Sequence, residues 1–358
     1  MNRRIIGIDV ARALAVIGMI IVNFKIAFGE EGSGFLKSFA GIFEGKAAAT
    51  FVVLAGVGIA LMSNSAIKEN NIRKIRGAQT RIAKRAFLLF IIGLSYIAIW
   101  PADILHFYGV YMLIALLLLK SRPKTILSVS LLIILVYPLF MLIWNYDTGW
   151  DFESFNYSDF WTVEGFTRNL FYNGFHPVIP WTAFMLIGLW FGKQNLHDSK
   201  VVKKTLWIGL SIFIAIQILS YGLISFLSLG SESVAKELGQ ILGTSPMPPL
   251  PIYMISGSSI ALFIISACIL ISKKFERNRV VTALNKTGQL ALTFYVAHVI
   301  IGMGVIEIWN PAKMGSYSIA FSLSYALLFS LLCVFFAVIW KKYADAGPLE
   351  WLFRKLAK

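Results

Sequence analysis

The chain has 358 residues, 58% of them hydrophobic and 14% charged, with a formal net charge of +15 and a mean hydropathy of +0.73. Soluble domains run near half apolar and about a quarter charged, so this composition excludes an ordinary soluble domain. Apolar runs of about twenty residues recur along the chain, which predicts an all-α polytopic membrane helix bundle filling residues 1–358 as a single domain.

Ten spans are expected, at 5–25, 39–63, 85–100, 103–120, 125–144, 176–193, 205–229, 251–272, 283–308 and 317–340. The positive charge does not point to nucleic acid, because Lys and Arg fall in short connections between apolar runs. Alternate connections carry most of them, seven in the 64–85 segment alone, whereas the other connections hold Lys25, Lys37, Arg168, Lys236 and Lys313. That asymmetry predicts that both termini are cytoplasmic. Asp9 and Arg12 interrupt the place where a leader's apolar core would lie, so no cleavable signal peptide is expected. The cysteines, Cys268 and Cys333, sit inside apolar runs and read as small buried hydrophobes. No His/Cys cluster has metal-ligand spacing, and no metal is expected.

The first span, IDVARALAVIGMIIVNF, carries an acid, a base and an amide. Arg12 and Asn23 are eleven residues apart, hence only about 20° apart around a helix and roughly 16 Å apart along it. Asp9 stands three residues before Arg12 and can pair with it, either tying helices together or framing a site. The second span opens FEGKAAATF. There Lys46 can snorkel outward, whereas Glu44 is a candidate to hold an acceptor hydroxyl or act as a base. The fourth span starts PADILHFYG. Asp103 and His106 share a face, so Asp103 either orients His106 as a general base or simply caps the helix. Residues 145–175 are acidic and aromatic-rich, which suits carbohydrate stacking or an interfacial aromatic belt. His176, in NGFHPVIPW, is a second candidate base or an interfacial loop histidine. Residues 230–251 end in SPMPPLP, a rigid extended lead into the eighth span. His298, in GQLALTFYVAH, lies deep in the ninth span near Gln289, Thr293 and Tyr295, as a site residue or a hydrogen-bonded core histidine. His197 lies in a basic connection.

An Asp-x-x-Arg followed by an apolar helix resembles the start of two families of integral-membrane acyltransferases. In the acyltransferase-3 family this helix ends in a His fourteen residues after the Asp, where this sequence has Asn23. The Val22-Asn23 ending is similar instead to heparan-α-glucosaminide N-acetyltransferase and its bacterial relatives, the YeiB-like proteins. Segments similar to FEGKAAATFVVLAGVGIAL, DILHFYGVYMLIALLL, NGFHPVIPWTAFMLIGL, PMPPLPIYM and GQLALTFYVAH extend that resemblance over most of the chain.

The resemblance implies an acetyltransferase of the bacterial cytoplasmic (inner) membrane. It would take the acetyl group of cytosolic acetyl-CoA to a hydroxyl or amine of an extracytoplasmic glycan or small-molecule acceptor. The active-site His of the glucosaminide enzyme lies between its first two core helices, and residues 24–44 contain none, so no His is carried over. On that reading Arg12, held by Asp9, receives the CoA phosphates, with Lys46, His298 and Gln289 along the donor's path. His106 with Asp103 deprotonates the acceptor, His176 is the second choice, Glu44 holds the acceptor and Asn23 donates to the developing oxyanion. A homodimer stays open. The competing class is a transporter using the same buried polar groups as a substrate or proton path.

Overall fold

The computed structural model of the protein describes residues 4–152 and 155–357. The chain opens with α1 (Ile6–Phe28), α2 (Gly34–Gly41) and α3 (Lys46–Lys68), followed by α4 (Ile72–Ser95), α5 (Leu105–Leu117) and α6 (Pro123–Ile143). A short antiparallel pair, β1 (Trp150–Asp151) and β2 (Asn156–Tyr157), sets Trp150 opposite Tyr157. Next come α7 (Val163–Arg168), a π-helical turn at Asn169–Asn173, and α8 (Val178–Gly192). The rest is α9 (Ser199–Leu227), α10 (Glu232–Leu242), α11 (Pro251–Lys274), α12 (Arg279–Gly288), α13 (Ala291–Ala297), a second π-helical turn at His298–Met303, α14 (Gly304–Trp309), α15 (Ile319–Trp340) and α16 (Pro348–Leu356).

The protein is a multi-pass, all-α membrane bundle. Among the described residues seven helical stretches are long and apolar enough to cross a bilayer. The number is eight if Val163–Asn173 and Val178–Gly192, bent by 46°, form one broken span. The expected spans 85–100 and 103–120 fall on the second half of α4 and on α5. The first half of α4 is basic (Arg73, Lys74, Arg76, Arg81), which keeps the helix out of the apolar set. α5 has 13 residues, so it is about 20 Å long against a hydrocarbon core of about 30 Å.

The described residues form two compact units. One comprises the chain up to Phe51, Leu196–Trp207 and Ala261–Leu356; the other comprises Val52–Asn195 and Ile208–Ile260. In the first unit α1 packs on α12, α13 and α15. Gly288, which ends α12, permits this: a Cβ there would lie 1.7 Å from the Asp9 carbonyl oxygen, so the two backbones touch. Phe24 and Phe28 are fully buried against Phe321, Tyr325 and Phe329 of α15. In lipid, such close packing holds helices together where no hydrophobic driving force exists.

In the second unit α4 packs on α5, and α8 packs on both α5 and α6. Gly93 of α4 makes room for the first turn of α5, since a Cβ would come 2.3 Å from the His106 amide nitrogen. Trp181, Phe184 and Tyr253 form the buried aromatic centre. Residues 230–251 contain α10 and are irregular from Gly243 to Leu250, where the SPMPPLP stretch leads into α11.

Candidate functional site

The first unit presents polar groups along α1. Asp9 is 2% exposed, and its carboxylate accepts from Arg12 Nη1 at 2.8 Å and from Arg4 Nε at 2.7 Å. Asp9 and Arg12 therefore pair as their spacing predicts, and Arg4 completes a two-arginine clamp that the sequence reading missed. Near this end of α1 lies a cleft of about 180 Å³, lined among others by Arg4, His197, Ser272, Lys273 and Glu276. Ser272 is buried and its hydroxyl has no hydrogen-bond partner among the described residues, while Lys273 Nζ donates to Ser199 Oγ at 2.8 Å. At the end of α15, burial pushes the Lys341 ammonium below the ordinary lysine value. Asp345 opposes that shift, and the charges of Arg4 and Arg354 reinforce it.

Asn23 lies roughly 16 Å further along α1 from Arg12. Its Nδ2 is 2.8 Å from His298 Nε2. His298 is fully buried, and its Nδ1 makes a short contact with the Tyr295 carbonyl oxygen. A carbonyl only accepts, so Nδ1 carries the proton, and Nε2 is left as the acceptor of the Asn23 amide. His298 is also the first residue of the second π-helical turn, a deformation frequent at functional sites. Tyr295 packs beside the imidazole and stacks on Phe51.

The helix that delivers His298 is capped from afar. Glu350 of α16 accepts from the amides of Leu292 and Thr293 at 2.8 and 3.1 Å and from Thr293 Oγ1 at 2.5 Å. It thereby satisfies donors at the start of α13 that no local side chain caps. This positioning contact spans nearly sixty residues, and nothing in the local sequence signals it. Gln289 bonds Asn285 at 3.2 Å and lies next to the Gly288 crossing rather than pairing with His298. Glu44 pairs with Lys25, whose Nζ also reaches Glu30, both at 2.5 Å. Lys46 opens α3 half-buried.

The second unit holds the other candidates. Asp103 is fully buried and His106 nearly so. The Asp103 carboxylate accepts from Tyr96 OH at 2.5 Å, from the Leu105 amide at 2.8 Å and from His106 Nδ1 at 3.3 Å. It serves both readings together, capping α5 and orienting the imidazole. His106 Nε2 is buried with no hydrogen-bond partner among the described residues. His176 presents its ring edge-on to Trp181 at 4.6 Å, and its carbonyl accepts from Tyr111 OH. His176 Nδ1, Trp181 Nε1 and Thr182 Oγ1 are likewise buried without partners. Such groups are rare in native interiors, and here four of them belong to α5, α8 and the turn leading into α8.

Comparison with known proteins gives two family matches. Residues 4–222 match the family described as heparan-alpha-glucosaminide N-acetyltransferase, catalytic, and residues 190–358 match a family described as a protein of unknown function, DUF418. A Bacillus subtilis (strain 168) protein, named uncharacterized protein YxaH, is 23% identical over 412 residues, covering 99% of this chain and 94% of that protein. The first match covers more than half of the chain: this protein belongs to the heparan-alpha-glucosaminide N-acetyltransferase family, an acyltransferase-type family of membrane proteins.

Proposed function

We propose that the protein moves an acetyl group from cytosolic acetyl-CoA to a hydroxyl or amine of a sugar-like acceptor across a bacterial cytoplasmic membrane. The observation that carries this reading is the Asn23–His298 pair, with its imidazole tautomer fixed, in a chain of an acetyltransferase family. The alternation of Lys and Arg supports cytoplasmic termini, which makes the N-terminal end of α1 the donor's mouth. The groups there suit a phosphate-bearing molecule: Arg4, Arg12 and Lys273 supply charge, and the orphaned Ser272 hydroxyl supplies an unused donor.

Acetyl-CoA supplies the activated thioester. His298 Nε2, held basic by the bond from Nδ1 to the Tyr295 carbonyl, takes the proton of the attacking hydroxyl or amine. The Asn23 amide turns from His298 to the thioester oxygen as that oxygen gains charge. His298 then returns the proton to the departing thiolate, so the carbonyl–sulfur bond breaks as the carbonyl–oxygen or carbonyl–nitrogen bond forms. The Asp9 clamp keeps Arg12 in place for the pyrophosphate.

A second reading of the same chemistry makes His106 the base. It rests on the unpartnered Nε2, which Asp103 aims from the other side of the ring. The test is thermal stability of the detergent-solubilised protein titrated with acetyl-CoA, CoA and ATP. A saturable stabilisation by acetyl-CoA that Arg12→Ala abolishes supports the donor path. A well-folded protein indifferent to millimolar acetyl-CoA is a transporter or another kind of protein, and the proposal fails.

A further inference from the structure

The second unit contains a pocket of about 250 Å³ on the 145–175 segment. We propose that this pocket binds one uncharged or amino-substituted hexose ring of the acceptor. The inference deepens the form of the acyl-transfer reading in which His106 is the base and rests on it for the sugar's role as acceptor, whereas the binding itself needs no donor.

Aromatic side chains wall the pocket, among them Trp150, Tyr157, Phe160 and Trp161, and its polar lining comes from Asn156, Ser158 and Asn169. Among the described residues no acidic or basic side chain lines it. Aromatic faces meet the C–H faces of a pyranose, and amides and hydroxyls meet its hydroxyl groups. Drug-sized ligands fill ~300–1,000 Å³, so this volume suits a single ring. Asn169 is 5% exposed and lines the pocket from its buried side.

The walls are held from behind. Tyr157 OH donates to Asn173 Oδ1 at 2.7 Å and accepts from Arg168 Nε at 2.8 Å. Burial pushes the Tyr157 phenol up, against the pull of Arg168, so it stays a donor. Trp150 Nε1 donates to the Asn173 carbonyl at 2.6 Å, and Asn173 Nδ2 is bonded to the carbonyls of Tyr146 and Thr148. With their polar tips engaged, these rings are fixed in place, and this pre-organisation lowers the cost of ordering them on binding.

Position and charge narrow the ligand. Phe160, a pocket wall, lies edge-on to the His106 ring at 6.4 Å, so the pocket wall packs against that ring. Residues 145–175 carry five acidic side chains against Arg168 alone, which disfavours sulfated or uronic sugars and favours neutral or cationic ones.

Saturation-transfer NMR on the full-length, detergent-solubilised protein tests this with methyl glucoside, glucosamine and glucuronate as probes, in the absence of acetyl-CoA. Trp161 is 74% exposed, so Trp161→Ala is expected to fold; Asn169→Ala is checked by its melting temperature. The expected result is saturable transfer to methyl glucoside and glucosamine, weakened about ten-fold or more in each variant and by a similar factor for glucuronate. No saturable signal at millimolar sugar, equal binding of glucuronate, or binding unchanged in both variants overturns the proposal. Sugar binding in a protein that acetyl-CoA does not stabilise upholds the pocket and removes the acyl-transfer reading instead.

Discussion

Asn23 and His298, 275 positions apart in the chain, meet through a 2.8 Å contact between an amide nitrogen and an imidazole nitrogen. The amide comes from α1 and the imidazole from the π-helical turn that follows α13. Because the Tyr295 carbonyl engages the other ring nitrogen, Nε2 is left to accept from the Asn23 amide, and the proposed mechanism makes the amide the oxyanion donor and the imidazole the base. Asn23→Ala is expected to lower kcat about 10²–10³-fold, the usual loss when one oxyanion donor is removed. The KM for acetyl-CoA stays close to that of the parent. A rise in KM with kcat unchanged would assign Asn23 to ground-state binding.

Asp9 balances Arg4 and Arg12 from a buried position. Asp9→Ala leaves two guanidinium groups without their carboxylate. Both arginines keep partial solvent exposure, so the expected cost is about 1–3 kcal/mol, below that of breaking a fully buried pair. Thermal unfolding in detergent measures it, and a melting temperature equal to the parent's contradicts the clamp.

Asp103 satisfies Tyr96, Leu105 and His106 at once. Its replacement by Ala strands these buried donors and is expected to destabilise the protein by about 2–4 kcal/mol. Asp103→Asn keeps the shape and gives a milder stability loss. If His106 is the base, the Asn variant also loses transfer activity at a temperature where it remains folded. If His106 serves packing alone, activity there is unchanged.

Part of this arrangement was legible in the sequence. The 3.6-residue period put Asp9 beside Arg12 and Asp103 beside His106, because such neighbours depend on helix geometry alone. The apolar runs likewise announced a membrane bundle. The partners of Asn23, Glu44 and Thr293 were not legible: His298, Lys25 and Glu350 reach them across other helices, and no local spacing encodes a contact between distant segments. The span boundaries blurred where α4 mixes a basic half with an apolar one, and where α5 is too short to cross alone.

Lys341, which interacts electrostatically with Arg4 and Asp9, would give the proposed donor's mouth a pH signature. Burial lowers its pKa below the ordinary 10.5, and a lysine must be charged to attract phosphate. If Lys341 contacts the phosphates of acetyl-CoA, affinity is expected to fall on the alkaline side, beginning at a lower pH than an ordinary lysine would give. Lys341→Arg, which stays charged, is expected to flatten that fall in a binding titration across the alkaline range. An unchanged profile in the Arg variant places Lys341 outside the donor's reach.

The most direct measurement follows labelled acetyl groups from acetyl-CoA, added outside inverted membrane vesicles, to a hexosamine enclosed within them, for the parent and for His298→Ala. The account predicts acetylated sugar inside vesicles of the parent and a loss of at least about 10² in the variant, with stabilisation by acetyl-CoA retained in both. Transfer by His298→Ala at the parental rate would contradict it.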